Sequence, residues 1–316
     1  MSKIMSKLEK ASARTLLGLI LSVLFLAGCA NTVAYREPII QFQQASTVVI
    51  EGARIEYGIA NQRERDAEID RLVSNQKEIT LKDLNNKDLR VLSSDDLAAR
   101  MATLDALSKH GQLLLALASS DAPVRARDAA NSLDDAIVSL STSLGKLPSG
   151  EFRNNIEGFV IIAAEVTRLS LEVKISQALD KAITLSENNI LAIIRLLQVD
   201  MSALYERQRN ILGAARVLAI TEYNTALKEP TPDPGKLKNL ASKIKQAEAA
   251  WDNLPLLLGS GPGLDAMSQA HQKLANYAKS SKTPQDFAEL VDATDAFANR
   301  AGIIADAIKI IRESKE

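Results

Sequence analysis

A single cysteine, Cys29, in 316 residues excludes an intramolecular disulfide. The fold therefore has to be held by a packed core, whatever the redox state of its compartment. Aromatic residues are scarce: one tryptophan, five tyrosines and six phenylalanines. Glycine and proline are few, at 14 and nine, and no alternating apolar–polar run is long enough for a sheet. With abundant alanine, leucine and isoleucine, that poverty suits helix-on-helix packing. Charge of one sign is also lacking, with 38 basic against 39 acidic side chains. Nucleic acid demands concentrated positive charge, so it is not read as a partner. Past residue 28 no run of about 18 residues is free of charge, so no second membrane span is expected. The two histidines, His110 and His271, have no second His or Cys at a metal-ligand spacing.

The N-terminus carries what the rest lacks. Lys3, Lys7, Lys10 and Arg14 form a basic head, and Thr15 to Ala27 run apolar. Thirteen or so such residues match the apolar region of a signal peptide. As a helix they rise only about 20 Å at 1.5 Å per residue, short of the roughly 30 Å hydrocarbon core. Met1 and Met5 both open Met-Ser-Lys, and the reading holds for either start.

The run closes on Leu26-Ala27-Gly28-Cys29. Basic head, apolar run, an aliphatic residue, two small residues and cysteine, in that order, resemble the lipobox signal of bacterial lipoproteins. The resemblance covers about the first 29 residues and does not extend to the body of the chain. It implies that Leu26, Ala27 and Gly28 are read by the signal peptidase. It implies further that Cys29 takes a thioether-linked diacylglycerol, becomes the mature N-terminus and is acylated again, with palmitate-type chains. Several chains, at about 0.8 kcal/mol per buried CH2, make a durable anchor where one would be marginal. Ala30, not aspartate, follows the cysteine; in a Gram-negative host this implies the outer membrane, facing the periplasm. Removing residues 1–28 takes four basic and one acidic side chain from 38 and 39, leaving 34 and 38 and a net charge near −4.

Four segments are expected: a signal peptide at 1–28, an acylated cysteine with a short polar linker at 29–37, a main helical bundle at 38–229, and C-terminal helices at 230–316 packed on it. The first helix is expected to start at Pro38 and run to about Gln76, its charged second half (Arg63-Glu64-Arg65-Asp66) facing solvent. A second helix follows Ser94, with a stripe of Leu97, Met101, Leu104, Gly111, Leu115 and Ala118. Ala126, Ala130, Leu133, Ile137, Leu140 and Leu144 form an unbroken heptad seam in a third. Helices over 151–228 are expected to break near Ser186-Glu187-Asn188-Asn189, with Ser186 as an N-cap. The second of them carries the seam Ile190, Ile194, Leu197, Met201, Leu204, Gln208, Ile211, Ala215 and Leu218. Such a rod needs partners along its whole length. Pro230 to Gly235 is the strongest breaker, and three more helices follow, the last opened by Thr283-Pro284. The class is all-α: an elongated multi-helix bundle with long antiparallel helices.

Candidate chemistry is thin. His110 and His271 read as satisfied, non-functional side chains. Asp95-Asp96 and Asp134-Asp135 are adjacent pairs that diverge on a helix, which suits capping and solubility better than paired acid–base work. Gly-Pro-Gly after Ser260 lacks the preceding strand a nucleophile elbow or phosphate loop needs. Leu256-Leu257-Leu258 reads as a plug of the bundle end or as a partner contact. Gly52, Gly58, Gly111, Gly158 and Gly213 read as points of close helix approach or as hinges. Phe159 to Ala164, apolar all round, reads as a fully buried helix or as a membrane-inserting segment. No metal and no cofactor are expected. Three functions stay open: a membrane-anchored scaffold touching an envelope protein, a helical module for a lipid or apolar ligand, and an enzyme whose residues converge only in space.

Overall fold

The structure is a computed structural model. It describes the backbone of residues 2–84, 92–119, 122–172, 175–254 and 260–313. Side chains are described from residue 36 onward within those ranges, apart from 84, 122–123, 162, 170, 172 and 175–177. The fold is an all-α multi-helix bundle, with no strand among the described residues. Its helices are α1 Ser2–Ser74, α2 Leu81–Leu84, α3 Ser94–Leu117, α4 Ala122–Leu144, α5 Glu151–Glu172, α6 Ile175–Leu227, α7 Pro234–Asp252, α8 Ser260–Lys279 and α9 Pro284–Glu313.

Helix starts follow local chemistry. Ser93 caps α3, its Oγ accepting from the Asp96 amide at 3.1 Å and donating to the Asp96 carboxylate at 2.7 Å. Asp233 caps α7 with Pro234 in the first turn, where a missing N–H costs nothing. Thr283 and Asp286 cap α9 reciprocally, the two amide bonds being 2.9 and 3.2 Å long.

Two expected boundaries are corrected. α1 does not begin at Pro38 but passes through it, and the backbone of residues 29–37 is helical. Pro38 is buried among core residues, so its ring gains packing that offsets the hydrogen bond it cannot make. α6 does not break at Ser186, because that hydroxyl bonds back to the Ala182 carbonyl at 2.6 Å instead of capping a new helix. α5 ends at Glu172 and α6 begins at Ile175, and residues 173–174 lie outside the described residues. α8 begins at Ser260, with Ser260 to Gly263 in its first turn.

α1 and α6 are the spine. α1 packs on α3, α6, α8 and α9; α6 packs on α1, α3, α5, α7 and α8. Successive α3, α4, α5 and α6 are neighbours, as short connections require. The α4 seam is buried throughout, from Ala126 to Leu144. Of the expected α3 stripe Leu104, Gly111 and Ala118 are buried while Leu97, Met101 and Leu115 are half-buried, and Ala99, Thr103, Ala106, Leu107, Leu113 and Leu117 are buried outside it, because three helices surround it. α5 departs the other way: Phe159 and Ala163 are buried but Ile161 is 71% exposed, so the apolar run is amphipathic, not sealed. Among the described residues no helix is long and apolar enough to cross a membrane.

The charged half of α1 is not merely solvated. Arg63 donates to Gln208 at 3.0 Å, and Glu64 pairs with Arg207 on α6. Only Gly52 among the expected close-approach glycines is crowded: a Cβ there would sit 2.9 Å from Ser260 Oγ and 3.0 Å from Ile304 Cγ2. Gly58 and Gly158 have nothing within 4 Å, and Gly111 and Gly213 meet only ordinary contacts. Gly263, not among the expected close-approach positions, is the tightest, its notional Cβ running into Ile304 Cδ1.

Candidate functional site

Leu26, Ala27, Gly28 and Cys29 lie on α1 among residues whose side chains are not described, and Leu256, Leu257 and Leu258 lie outside the described residues altogether. The geometry that can be read is in the core, at three polar clusters and one groove.

The first cluster joins the two histidines, distant in sequence. His110 on α3 and His271 on α8 are 2% and 0% exposed, with ring centroids 6.2 Å apart. Ser186 Oγ lies 3.3 Å from His110 Nε2. That hydroxyl spends its only proton on the Ala182 carbonyl, so it accepts from Nε2–H, which assigns the His110 tautomer. Among the described residues His110 Nδ1 and both ring nitrogens of His271 have no hydrogen-bond partner. His271 faces the Phe42 ring at 5.9 Å. The reading of satisfied histidines is therefore corrected: they are buried and mostly unsatisfied, at a cost of about 1–3 kcal/mol per orphaned group. Burial pushes His110 down to about 4, and burial plus the neighbouring His110 pushes His271 down to about 3. Both rings are neutral at physiological pH. Glu187, next to Ser186, is committed to an ion pair with Lys279. Among the described residues no group of three His, Cys, Asp or Glu side chains is placed to hold a metal ion.

The second cluster ties α1, α3, α5 and α6 together. Arg100 Nε and Nη2 donate to the two oxygens of Asp200 at 2.6 and 3.2 Å. Tyr57 Oη donates to Asp200 Oδ2 at 3.1 Å. The Arg100 guanidinium lies 4.3 Å over the Phe152 ring, a cation–π contact. Burial, then the Asp200 charge, raises the Tyr57 phenol well above its ordinary value, so it holds its proton and donates. Sequence pattern shows none of this; Arg100 stands beside Met101 of the expected stripe, but Tyr57 and Asp200 carry no signal that they converge.

In the third cluster Glu56 of α1 meets the first residue of α8, bonding the Ser260 hydroxyl and amide. Burial raises its carboxyl to about 8, against the lowering pull of those two bonds. Glu56 thus satisfies a helix-start amide that would otherwise be orphaned.

The groove, about 440 Å³, lies where α1, α6 and α7 run past the main core. Its floor is Ile211, Ala215, Leu218 and Ala219 of α6; its walls run from Arg63 to Ser74 on α1 and from Lys243 to Ala250 on α7. Glu222 and Lys243 pair at 3.3 Å at its edge. Compared with protein-family models, with curated proteins and with solved structures, the chain finds no match.

Proposed function

We propose that this chain is a lipid-anchored helical scaffold of the bacterial cell envelope. It is held to a membrane through Cys29 and works by presenting helix surface to an envelope protein. The observation that carries this reading is the ordered N-terminal signal: basic head, apolar run and Leu26-Ala27-Gly28-Cys29. Ala30 in place of aspartate points the anchored form to the outer membrane, with the body in the periplasm. The body supports the reading in two ways. Its buried charged side chains Arg100 and Glu187 are each committed to an ion pair with another helix, through Asp200 and Lys279, which suits rigidity more than turnover. Its long helices leave an apolar groove exposed, a surface of the kind that receives partners.

A second reading, carriage of a lipid or other apolar ligand, is favoured by one observation. The groove volume of about 440 Å³ falls inside the range of about 300–1,000 Å³ usual for ligand pockets. Metabolic labelling with an alkyne palmitate separates the anchor from everything else. The wild-type chain takes label and sediments with the envelope, and Cys29→Ser takes none and is retained as the unprocessed form. Equal labelling of both chains refutes the anchor.

A further inference from the structure

The heptad seam of α6 marks more residues for burial than the bundle covers. As far as Gln208 the seam is buried; beyond it Ile211 and Ala215 are half-buried and Leu218 is exposed. These three side chains are, with the buried Ala219, the floor of the groove between α1 and α7. α7 does not close it, for no residue of that helix is fully buried and Ile244 and Ala247 stay half-covered. Val73, on the α1 wall, is 54% exposed. Two helices flanking a third, with an apolar floor between them, leave room for one more helix.

The walls differ in charge. On one side Glu222 is neutralised by Lys243. On the α1 side Asp66 and Asp70 stand one turn apart; Arg63 neighbours Asp66, but Asp70 has no ion pair among the described residues. The five charged residues of the groove are two cations and three anions.

We propose that this groove docks one amphipathic helix of an envelope protein, with aliphatic residues at i, i+3 or i+4, and i+7, and a lysine or arginine along the edge that meets Asp66 and Asp70. The α1 wall from Arg63 to Ser74 extends about 17 Å at 1.5 Å per residue, which matches about three helical turns. The proposal rests on the scaffold reading above and supplies the chemistry of its partner.

The chain carries its own reporter. Trp251 is the only tryptophan and shares a small apolar cluster with Leu212 and Ala250, both of which line the groove. The full-length chain in phosphatidylcholine vesicles is titrated with a tryptophan-free, 15-residue Leu/Lys amphipathic peptide and with its Leu/Glu counterpart, against protein-free vesicles. The Leu/Lys peptide is expected to shift Trp251 emission saturably and at least tenfold more tightly than the Leu/Glu peptide. Asp70→Lys reverses that preference. Leu218→Asp abolishes both shifts at unchanged helix content by circular dichroism. Failure of both peptides to saturate overturns the proposal, as does equal binding that Asp70→Lys leaves unchanged. So does a Leu218-dependent shift given by free palmitate alone, which assigns the groove to an acyl chain, or a Leu218-dependent dimer, which assigns it to a second copy. An acylated chain that ignores both peptides loses the groove and keeps the anchor. A chain that binds the Leu/Lys peptide but carries no acyl group loses the anchor and keeps the groove.

Discussion

Replacing His271 with leucine should stabilise the protein and remove half of an acid sensitivity built into its core. The ring is fully buried, without a partner on either nitrogen among the described residues, and faces Phe42. Leucine removes an orphaned donor and an orphaned acceptor, a gain of about 1–3 kcal/mol each, less about 1–3 kcal/mol for imperfect repacking. A net gain of about 2 kcal/mol at pH 7 follows. The pH dependence is the sharper part. An unfolded histidine titrates near 6.5, whereas the folded values are about 4 for His110 and about 3 for His271. Folded values below the unfolded one mean that the stability is whole above pH 6.5 and is lost as pH falls through the window down to 3–4. Between pH 7 and pH 5 each unfolded ring takes up its proton while the folded rings stay neutral. That costs about 2 kcal/mol per histidine at about 1.4 kcal/mol per unit. The figure is insensitive to the folded values as long as they lie below 5. Urea unfolding of wild type and His271→Leu, followed by circular dichroism at pH 7, 6 and 5, measures it. The difference between the two chains cancels all other titrating groups, Glu56 included. The stability gap in favour of His271→Leu should widen by about 2 kcal/mol from pH 7 to pH 5. A gap that does not change means that His271 takes a proton inside the fold, and the sealed, unpartnered pair is refuted.

Gly263→Ala should cost about 1–2 kcal/mol, overpacking against Ile304 and Val49 exceeding the helix-propensity gain, whereas Gly58→Ala, with open space around it, should gain about 0.5–1 kcal/mol; thermal melts compare them. In the Arg100 cluster, Tyr57→Phe should cost about 1 kcal/mol, and Arg100→Ala about 3 kcal/mol because it strands the Asp200 carboxylate and bares Phe152; denaturant titration of each variant and of the pair tests their coupling. Glu56, its folded value raised to about 8, contributes stability that is whole below about 4.5 and lost as pH rises through 8. Glu56→Gln should therefore equal wild type near pH 4.5 and exceed it by about 2 kcal/mol at pH 9, a figure discounted because Glu56 is partly exposed; melts across that range read the difference.

Periodicity made the bundle legible where one stripe met one neighbour. The α4 seam is buried residue for residue because heptad spacing keeps one face inward. The α9 start was legible too, since Thr283 acts locally, whereas the cap expected at Ser186 was not formed because its hydroxyl bonds back to Ala182. The α1 C-terminus was legible to within two residues of Gln76, although Gln76 takes a left-handed conformation, φ 53°, usually marked by glycine. What failed was everything that depends on how many neighbours a helix has. α3 is encircled, α5 leaves Ile161 in solvent, and the α6 seam outruns its cover at Leu218; no local pattern encodes those counts. Polar convergence was equally out of reach. His110 and His271, or Tyr57, Arg100 and Asp200, stand on separate helices, and only the packing brings them together.

The mass of the mature N-terminal peptide, taken from protein extracted from the native membrane, tests the central claim most directly. The account predicts a first residue Cys29 bearing a thioether-linked diacylglycerol and an amide-linked acyl chain. A peptide that begins at Met1 or Met5, or a Cys29 with a free thiol, contradicts it.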